Sequence, residues 1–287
     1  MSILVGKETR LIVQGITGNW GQRQTLNMLE NRTCIVAGVS PGRGGTEVLG
    51  IPVYDTVTEA VRYHQANASI LYIPAPAVKE AAFEAIESGI KLVVIITEYV
   101  PLHDTMKIID LATQLDAWVI GPNTPGIVSP GKALVGFLPA ATVQPGGIGI
   151  VSRSGTLAIE TLRFLSENSI GIATCCGIGG DLVSGKSHID YLKLFEKDEQ
   201  TRVVVLLGEI GGNMEEAASE YIQRMNKPVI SMIVGRTAPP GKRMGHAGAI
   251  ISQGSGSAVH KIEVLKRAGA KVAGDFWHLV KLVQEIQ

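Results

Sequence analysis

The chain has 287 residues, 45% of them hydrophobic and 18% charged, which is enough for two domains of ordinary size built around buried sheets. Its formal net charge is zero, so it has no bulk attraction for nucleic acid or an anionic membrane. Cys34, Cys175 and Cys176 are too few and too poorly spaced for a disulfide framework or a zinc site, so a reducing compartment and no bound metal are expected.

The N-terminus turns polar too early for a secretory signal, and the most apolar run, 92–96, is far too short to span a bilayer. The expected location is the cytoplasm or an organelle matrix. A short buried strand over 10–14 runs into Gly15-Ile16-Thr17-Gly18-Asn19-Trp20-Gly21 and then a helical pattern through Leu26 and Leu29. Strand, glycine loop and helix form the phosphate-binding opening of a Rossmann-like unit, where backbone amides and the helix dipole meet an anion. The spacing is Gly-x-x-Gly-x-x-Gly rather than the dinucleotide pattern Gly-x-Gly-x-x-Gly. After the next strand, 34–39, an NAD enzyme would place an acid for the ribose, whereas this chain has Ser40-Pro41-Gly42-Arg43-Gly44-Gly45. A positive charge there suits a ligand with an extra ribose phosphate, such as coenzyme A or NADP.

Further strands are predicted at 69–73, 92–96 and 118–120, with helices at 78–88 and 104–115 between them. Alternation of this kind means a parallel sheet covered on both faces, with ligands beyond the strands' carboxyl ends. Residues 127–147, rich in Gly, Pro and Ala, are read as a linker between a first domain, 1–126, and a second, 148–287. The second alternation begins with a strand at 148–151, which turns through Ser152-Arg153-Ser154-Gly155-Thr156 into a helix over 157–165. The amides of Ser154, Gly155 and Thr156 are expected to stand free at that helix start and to bind an anion. Strands at 172–176, 203–207, 228–234 and 271–273 follow, with helices at 189–195, 214–225 and 258–268 and a closing helix whose Phe276, Leu279, Val280, Val283 and Ile286 share one apolar face.

Two loops of this second half carry chemistry. Gly208-Glu209-Ile210-Gly211-Gly212 puts a carboxylate at a strand end among glycines, and Gly241-Lys242-Arg243-Met244-Gly245-His246-Ala247-Gly248-Ala249 puts an uncrowded imidazole in a long loop. In a parallel sheet both lie on the same edge as Ser154. His246 then fits a nucleophile for a phosphoryl group, Glu209 the acceptor that fixes its tautomer, and the 154–156 helix start the phosphate cradle.

In chain order, Gly15-Ile16-Thr17-Gly18, Pro41-Gly42-Arg43-Gly44-Gly45, Gly121-Pro122-Asn123, Ser152-Arg153-Ser154-Gly155-Thr156-Leu157 and the Glu209 and His246 loops resemble the alpha subunits of succinate–CoA ligase, also called succinyl-CoA synthetase. The resemblance implies a Rossmann-like CoA-binding domain followed by a flavodoxin-like ligase domain, both parallel sheets with flanking helices. It implies CoA contacts at Thr17, Gly18, Asn19, Trp20, Pro41, Arg43, Ile96, Thr97 and Glu98, acid contacts at Asn123, Thr124 and Ile159, and phosphorylation of His246. It also implies a nucleotide-grasp beta subunit that holds ATP or GTP with Mg²⁺, in a heterodimer or heterotetramer. The implied reaction passes a phosphoryl group from His246 to succinate, and the CoA thiol then displaces phosphate.

The sequence departs from the family pattern in several places. Arg43 replaces a lysine, Thr124 a cysteine and Ile159 a substrate-linked tyrosine. The run Thr97-Glu98-Tyr99-Val100-Pro101 replaces Thr-Glu-Gly-Ile-Pro, and Gly180-Asp181-Leu182-Val183-Ser184-Gly185-Lys186-Ser187-His188 replaces Gly-Gly-Asp-Pro. Because the changes cluster near the expected acid site, they raise malate, citrate or a sulfonated acid such as sulfoacetate as alternatives, with Lys186 and His188 facing the extra charge. A non-catalytic CoA-binding regulator is a further alternative, as is an NADP oxidoreductase, against which the missing acid and the glycine spacing weigh.

Overall fold

The computed structural model describes residues 2–251 and 256–286. In chain order the first half runs β1 (Arg10–Gln14), α1 (Asn19–Glu30), β2 (Cys34–Val39), β3 (Glu47–Val48), β4 (Ile51–Tyr54), α2 (Val57–His64), β5 (Ala68–Leu71), α3 (Val78–Glu87), β6 (Leu92–Ile95), α4 (Leu102–Gln114) and β7 (Trp118–Ile120). The strand order is β3-β4-β2-β1-β5-β6-β7. Without the two-residue β3, which is antiparallel to β4, the strands taken in chain order lie 3-2-1-4-5-6, the doubly wound Rossmann arrangement. The central strand β1 is buried except at Arg10 and apolar over Leu11, Ile12 and Val13, as a strand covered on both faces must be, with the buried Gln14 at its end. Sequence periodicity passes over β3, β4 and α2, because the two strands are short and α2 has only eight residues.

The second half runs β8 (Gly126–Ser129), β9 (Ala133–Gly136), β10 (Pro145–Ser152), α5 (Gly155–Glu167), β11 (Ile172–Gly177), α6 (His188–Lys197), β12 (Val203–Gly208), α7 (Met214–Ile222), β13 (Val229–Ile233), α8 (Ala258–Arg267), β14 (Lys271–Val272) and α9 (Phe276–Gln284). Its strand order is β14-β13-β12-β10-β11-β8-β9. The strands from β10 onward are parallel and lie in the flavodoxin-like order 2-1-3-4-5.

The segment 127–147 is therefore not a bare linker. β8 and β9 form an antiparallel hairpin that extends the second sheet through β11, so that sheet is mixed rather than wholly parallel. The hairpin also grips the first half. The Thr33 hydroxyl donates to the Leu134 carbonyl (2.7 Å) and accepts from the Leu134 amide (2.9 Å), both buried. Trp20 of α1 meets Phe137 edge-on, with ring centroids 6.1 Å apart. The glycines that suggest a linker serve close approach instead. Gly126 pairs with Gly136 across the hairpin, and a Cβ on Gly126 would stand 2.0 Å from the Val135 carbonyl oxygen. One apolar cluster accordingly runs from Leu11, Val13 and Ile16 through Ile127 and Leu134 to Ile150, Leu206 and Val283.

Among the described residues no helix is long and apolar enough to cross a membrane. The three cysteines are free, with Cys175 and Cys176 buried opposite the hairpin. On α9, Leu279, Val280 and Val283 are buried and Phe276 packs against the core from its edge, as does Ile286 just beyond the helix, which ends at Gln284.

Candidate active site

In the second sheet the chain leaves β10 toward β11 on one side, while β12 lies on the other. The crevice beyond these two strand ends is the topological switch point, where ligands of such sheets bind. Ser152, Arg153 and Ser154 come from the β10 end, and Glu209 to Gly212 follow β12. Ser154 is the N-cap of α5, and its side chain accepts from the Leu157 amide (3.3 Å). Its own amide donates to the Ser152 hydroxyl (3.2 Å), so Ser154 contributes no free amide. The open donors at the start of this helix are those of Gly155 and Thr156.

His246 comes from the loop between β13 and α8. Its Nδ1 lies 2.9 Å from both carboxylate oxygens of Glu209. A carboxylate only accepts, so the shared proton sits on Nδ1, and Nε2 of the neutral ring is left with its lone pair. The hydrogen bond to Glu209 raises the imidazole pKa above its ordinary value. Burial opposes the shift, the Glu209 charge adds to it, Arg153 lowers it and Glu98 raises it. The Glu209 side chain is 8% exposed and that of His246 26%, so the base end of the pair is dry and the nucleophile end is open. The two loops touch at Gly211, whose φ is +84°. A Cβ there would stand 1.9 Å from the Gly248 carbonyl oxygen, so only glycine lets the histidine loop close on the glutamate loop.

A set of buried charges lies behind Glu209. Arg153 is 2% exposed, donates from Nη1 to the Gly211 carbonyl (3.1 Å) and places Nη2 3.9 Å from the Glu209 carboxylate. Lys261 and Glu215 form an ion pair at 2.5 Å with both side chains fully buried. Burial acts to raise the Glu215 carboxyl, but His188, where acid charges it, and the cations Lys261 and Arg153 outweigh burial and hold the group below its ordinary value. Sequence reading gives Arg153, Glu215 and Lys261 no role. A signal was present in the pattern: Lys261 shares the buried stripe of α8 with Ala258 and Leu265, and Glu215 that of α7 with Ala218 and Ile222. A charge on a core stripe calls for a buried partner.

His246 opens into a cleft of about 330 Å³. Trp20, Ile96 and Glu98 line it from the first half, Asn123 and Thr124 from the crossing segment, and Gly155, Thr156 and Ile159 from α5. Residues expected to serve CoA, acid, phosphate and phosphoryl transfer are thereby brought to one cavity. Not every one of them offers a free polar group. The Thr124 hydroxyl donates to the Gly177 carbonyl (2.7 Å) and accepts from the Gly126 amide (3.0 Å), while the Asn123 amide donates to Asp181 (3.1 Å). The Thr97 hydroxyl donates to the Ile73 carbonyl (2.7 Å).

Thr17, Pro41 and Arg43 line a second cleft of about 400 Å³ with Gly15 and Ser40, at the switch point of the first sheet. Gly18 caps α1 with no side-chain bond, and Asn19 is its first residue, so this helix start also keeps open amides. Asp55, unmarked in the sequence reading, organises the Arg43 turn by accepting from the amides of Arg43 (3.0 Å) and Gly44 (2.9 Å). The Gly44 amide is the main cause that holds its carboxyl below the ordinary value.

Lys186 and His188 do not flank the acid site as a charged pair. The His188 ring is wholly buried among the charges of Glu215, Arg153 and Lys261, and burial holds its pKa at about 4, so it is neutral near pH 7. Lys186 sits over the Trp118 ring at 5.2 Å, beside a separate cleft lined also by Arg153 and Gly248. No cluster of three His, Cys, Asp or Glu able to hold a metal ion occurs among the described residues.

A Rossmann half and a flavodoxin-like half joined at a histidine–carboxylate cleft define a CoA-dependent ligase architecture. Residues 6–99 match the family model described as a CoA binding domain, and residues 151–271 match the one described as CoA-ligase. Over its whole length the chain is 51% identical to the entire succinate–CoA ligase [ADP-forming] subunit alpha 2 of Archaeoglobus fulgidus. It is 54% identical, over 94% of its length and 92% of the relative's, to the corresponding alpha subunit of Methanothermobacter thermautotrophicus. Among solved structures it superposes on ATP citrate lyase from Methanothrix soehngenii, in complex with citrate and coenzyme A, with a TM-score of 0.90 and 27% identity. That match covers 99% of this chain and 50% of the lyase chain. The chain belongs to the family of succinate–CoA ligase alpha subunits.

Proposed function

We propose that the chain is the phosphoryl-carrying and CoA-binding half of an ADP-forming succinate–CoA ligase. Succinate, CoA and ATP give succinyl-CoA, ADP and phosphate. The observation that carries this reading is the His246–Glu209 pair at 2.9 Å, open to the same cleft as Gly155, Thr156 and Glu98.

His246 Nε2 takes the phosphoryl group, and Glu209 keeps the proton on Nδ1 and stabilises the charged ring. The amides of Gly155 and Thr156, with the α5 dipole, hold the phosphoryl oxygens. A carboxylate oxygen of succinate then attacks phosphorus and frees His246, giving succinyl phosphate. The CoA thiol attacks its acyl carbon, loses its proton and expels phosphate. Asn123, Thr124 and Ile159 bound the acid end of the cleft. Arg43, Thr17 and Pro41 serve the nucleotide end of CoA, with Gly18, Asn19 and Trp20 at the start of α1. Ile96, Thr97 and Glu98 border the path of the thiol arm.

The partner is a beta subunit that binds the nucleotide and Mg²⁺, in a heterodimer or heterotetramer. Relatives named as ADP-forming alpha subunits support both the partner and ATP as donor. Full-length likeness to succinate enzymes favours succinate over malate, citrate or a sulfonated acid, and the burial of His188 removes one of the two groups offered for an extra charge. An intact His246–Glu209 pair argues against a non-catalytic regulator. We assign residues 1–125 to CoA binding, and the 126–136 hairpin together with 148–287 to the ligase unit.

The test mixes the chain with its cognate beta subunit and ATP labelled on the terminal phosphate. An acid-labile, base-stable phosphoprotein is expected, absent from His246→Ala, with succinate the preferred acid in a panel. Wild type that labels no better than His246→Ala would end this reading.

A further inference from the structure

We propose that the buried Lys261–Glu215 ion pair is the positioning device that holds Glu209 against His246. The inference rests on the phosphohistidine reading above and extends it to two residues on helices behind the site.

The geometry is specific. Lys261 Nζ donates to the Glu209 carbonyl (2.9 Å), the Gly211 carbonyl (2.6 Å) and Glu215 Oε2 (2.5 Å), so all three of its N–H donors are used. Glu215 Oε1 accepts the Glu209 amide (3.2 Å). The pair therefore grips the backbone on both sides of the Glu209 Cα, at its N–H and at its C=O. With both peptide groups fixed, the direction in which the side chain leaves is fixed as well, and the carboxylate arrives 2.9 Å from His246 Nδ1. The same ammonium holds Gly211, the residue on which the histidine loop rests through Gly248. One buried cation thus sets the base and the seat of the nucleophile together.

Only a cation fits this place. Two carbonyls turn toward one point where the chain leaves β12, and a neutral amide side chain offers two donors, not three. Glu215 balances the charge and supplies the one acceptor the Glu209 amide needs. Buried ion pairs add little stability over apolar residues of similar volume, so stability alone does not account for a pair on the core stripes of α7 and α8. The polar groups it organises are those of the reacting loop. Of the charged groups facing His246, only Glu209 is held by the pair; Arg153 and Glu98 reach it from other segments.

The experiment compares wild type with Lys261→Met/Glu215→Leu, which removes both charges at nearly constant volume. The His246 imidazole is titrated by NMR in the free chain, and labelling by ATP is timed in the complex with the beta subunit. The variant is expected to melt cooperatively and bind CoA as wild type does. Its His246 midpoint falls toward the ordinary histidine value, and phosphorylation slows by about a hundredfold. An unchanged midpoint and an unchanged labelling rate would overturn the proposal. Should the double variant fail to fold, Glu215→Gln keeps the shape but loses the charge and one of the two acceptors, since its NH2 group cannot accept from Lys261 or from the Glu209 amide. It is expected to shift the midpoint the same way by less, and no shift there overturns the proposal equally. A wild type that never labels refutes the phosphohistidine reading, while the titration still reports whether the pair positions Glu209.

Discussion

The two halves use one architecture for opposite purposes. Each is a doubly wound sheet whose first parallel strand turns into an open helix start, α1 after β1 and α5 after β10, at a switch point. In the first half the buried polar residues are uncharged, such as Gln14, Thr25, Ser40 and Ser69. The fully buried charges Arg153, Glu215 and Lys261, with Glu209 close to them, lie in the second. A binding domain can keep its charges, Arg43 and Asp55 among them, at the solvent edge, where ions cost little. A carboxylate that fixes an imidazole, as Glu209 does at His246, needs a dry place, and the second half carries the desolvation cost of several ions and pairs them. Fold order alone does not separate the two roles; the depth of the charges does.

The sharpest way to break this contrast is Glu209→Gln. Phosphorylation of His246 in the complex is expected to fall roughly a thousandfold while CoA affinity stays as in wild type. The pH profile moves too. With the neutral ring as the proposed nucleophile, the wild-type rate is expected to rise with pH to a plateau, with its midpoint above 6.5 because the Glu209 hydrogen bond raises the histidine. In Glu209→Gln that midpoint falls. The same shift has a stability consequence of fixed sign. The His246–Glu209 contribution is fully present below the unfolded value near 6.5 and is lost as pH rises through the folded one, which urea titrations at pH 6 and pH 9 of wild type and His246→Ala would read.

Arg43→Ala tests the other side of the comparison. The KM for CoA should rise about tenfold with the rate of ATP-dependent labelling unchanged, the effect expected if Arg43, at its exposed turn, gives CoA one charge-assisted hydrogen bond. A labelling defect in that variant would show that the halves do not divide the work. The smallest effect belongs to Ser154→Ala. It removes the bond to the Leu157 amide and is expected to cost about 1 kcal/mol of stability in thermal melts, with labelling largely kept. The remaining anion donors, the amides of Gly155 and Thr156, are backbone.

Much of the site was legible because its parts are local. Strand–loop–helix patterns mark the two helix starts, and Glu209 and His246 stand out as a carboxylate and an imidazole set among glycines. The readings that went astray concern residues whose meaning depends on distant partners. Residues 127–147 read as a linker because glycine permits loops as readily as it permits the close strand contact of Gly126 with Gly136. His188 read as a loop residue facing a ligand, although α6 carries it into the core. Ser154 read as a free donor, although Ser152 holds its amide.

The sequence by itself determined the two alternating α/β units, the open helix starts and the glycine-flanked carboxylate and imidazole of Glu209 and His246, because each follows from short-range periodicity, turn chemistry and side-chain type. Only the tertiary structure decided that the hairpin binds the halves together, that residues of both halves line one cleft with His246, and that Lys261 and Glu215 clamp Glu209. Those three depend on which strand ends become neighbours and which charges are buried together; Lys261 lies 52 positions from Glu209, and Thr33 lies 101 from Leu134.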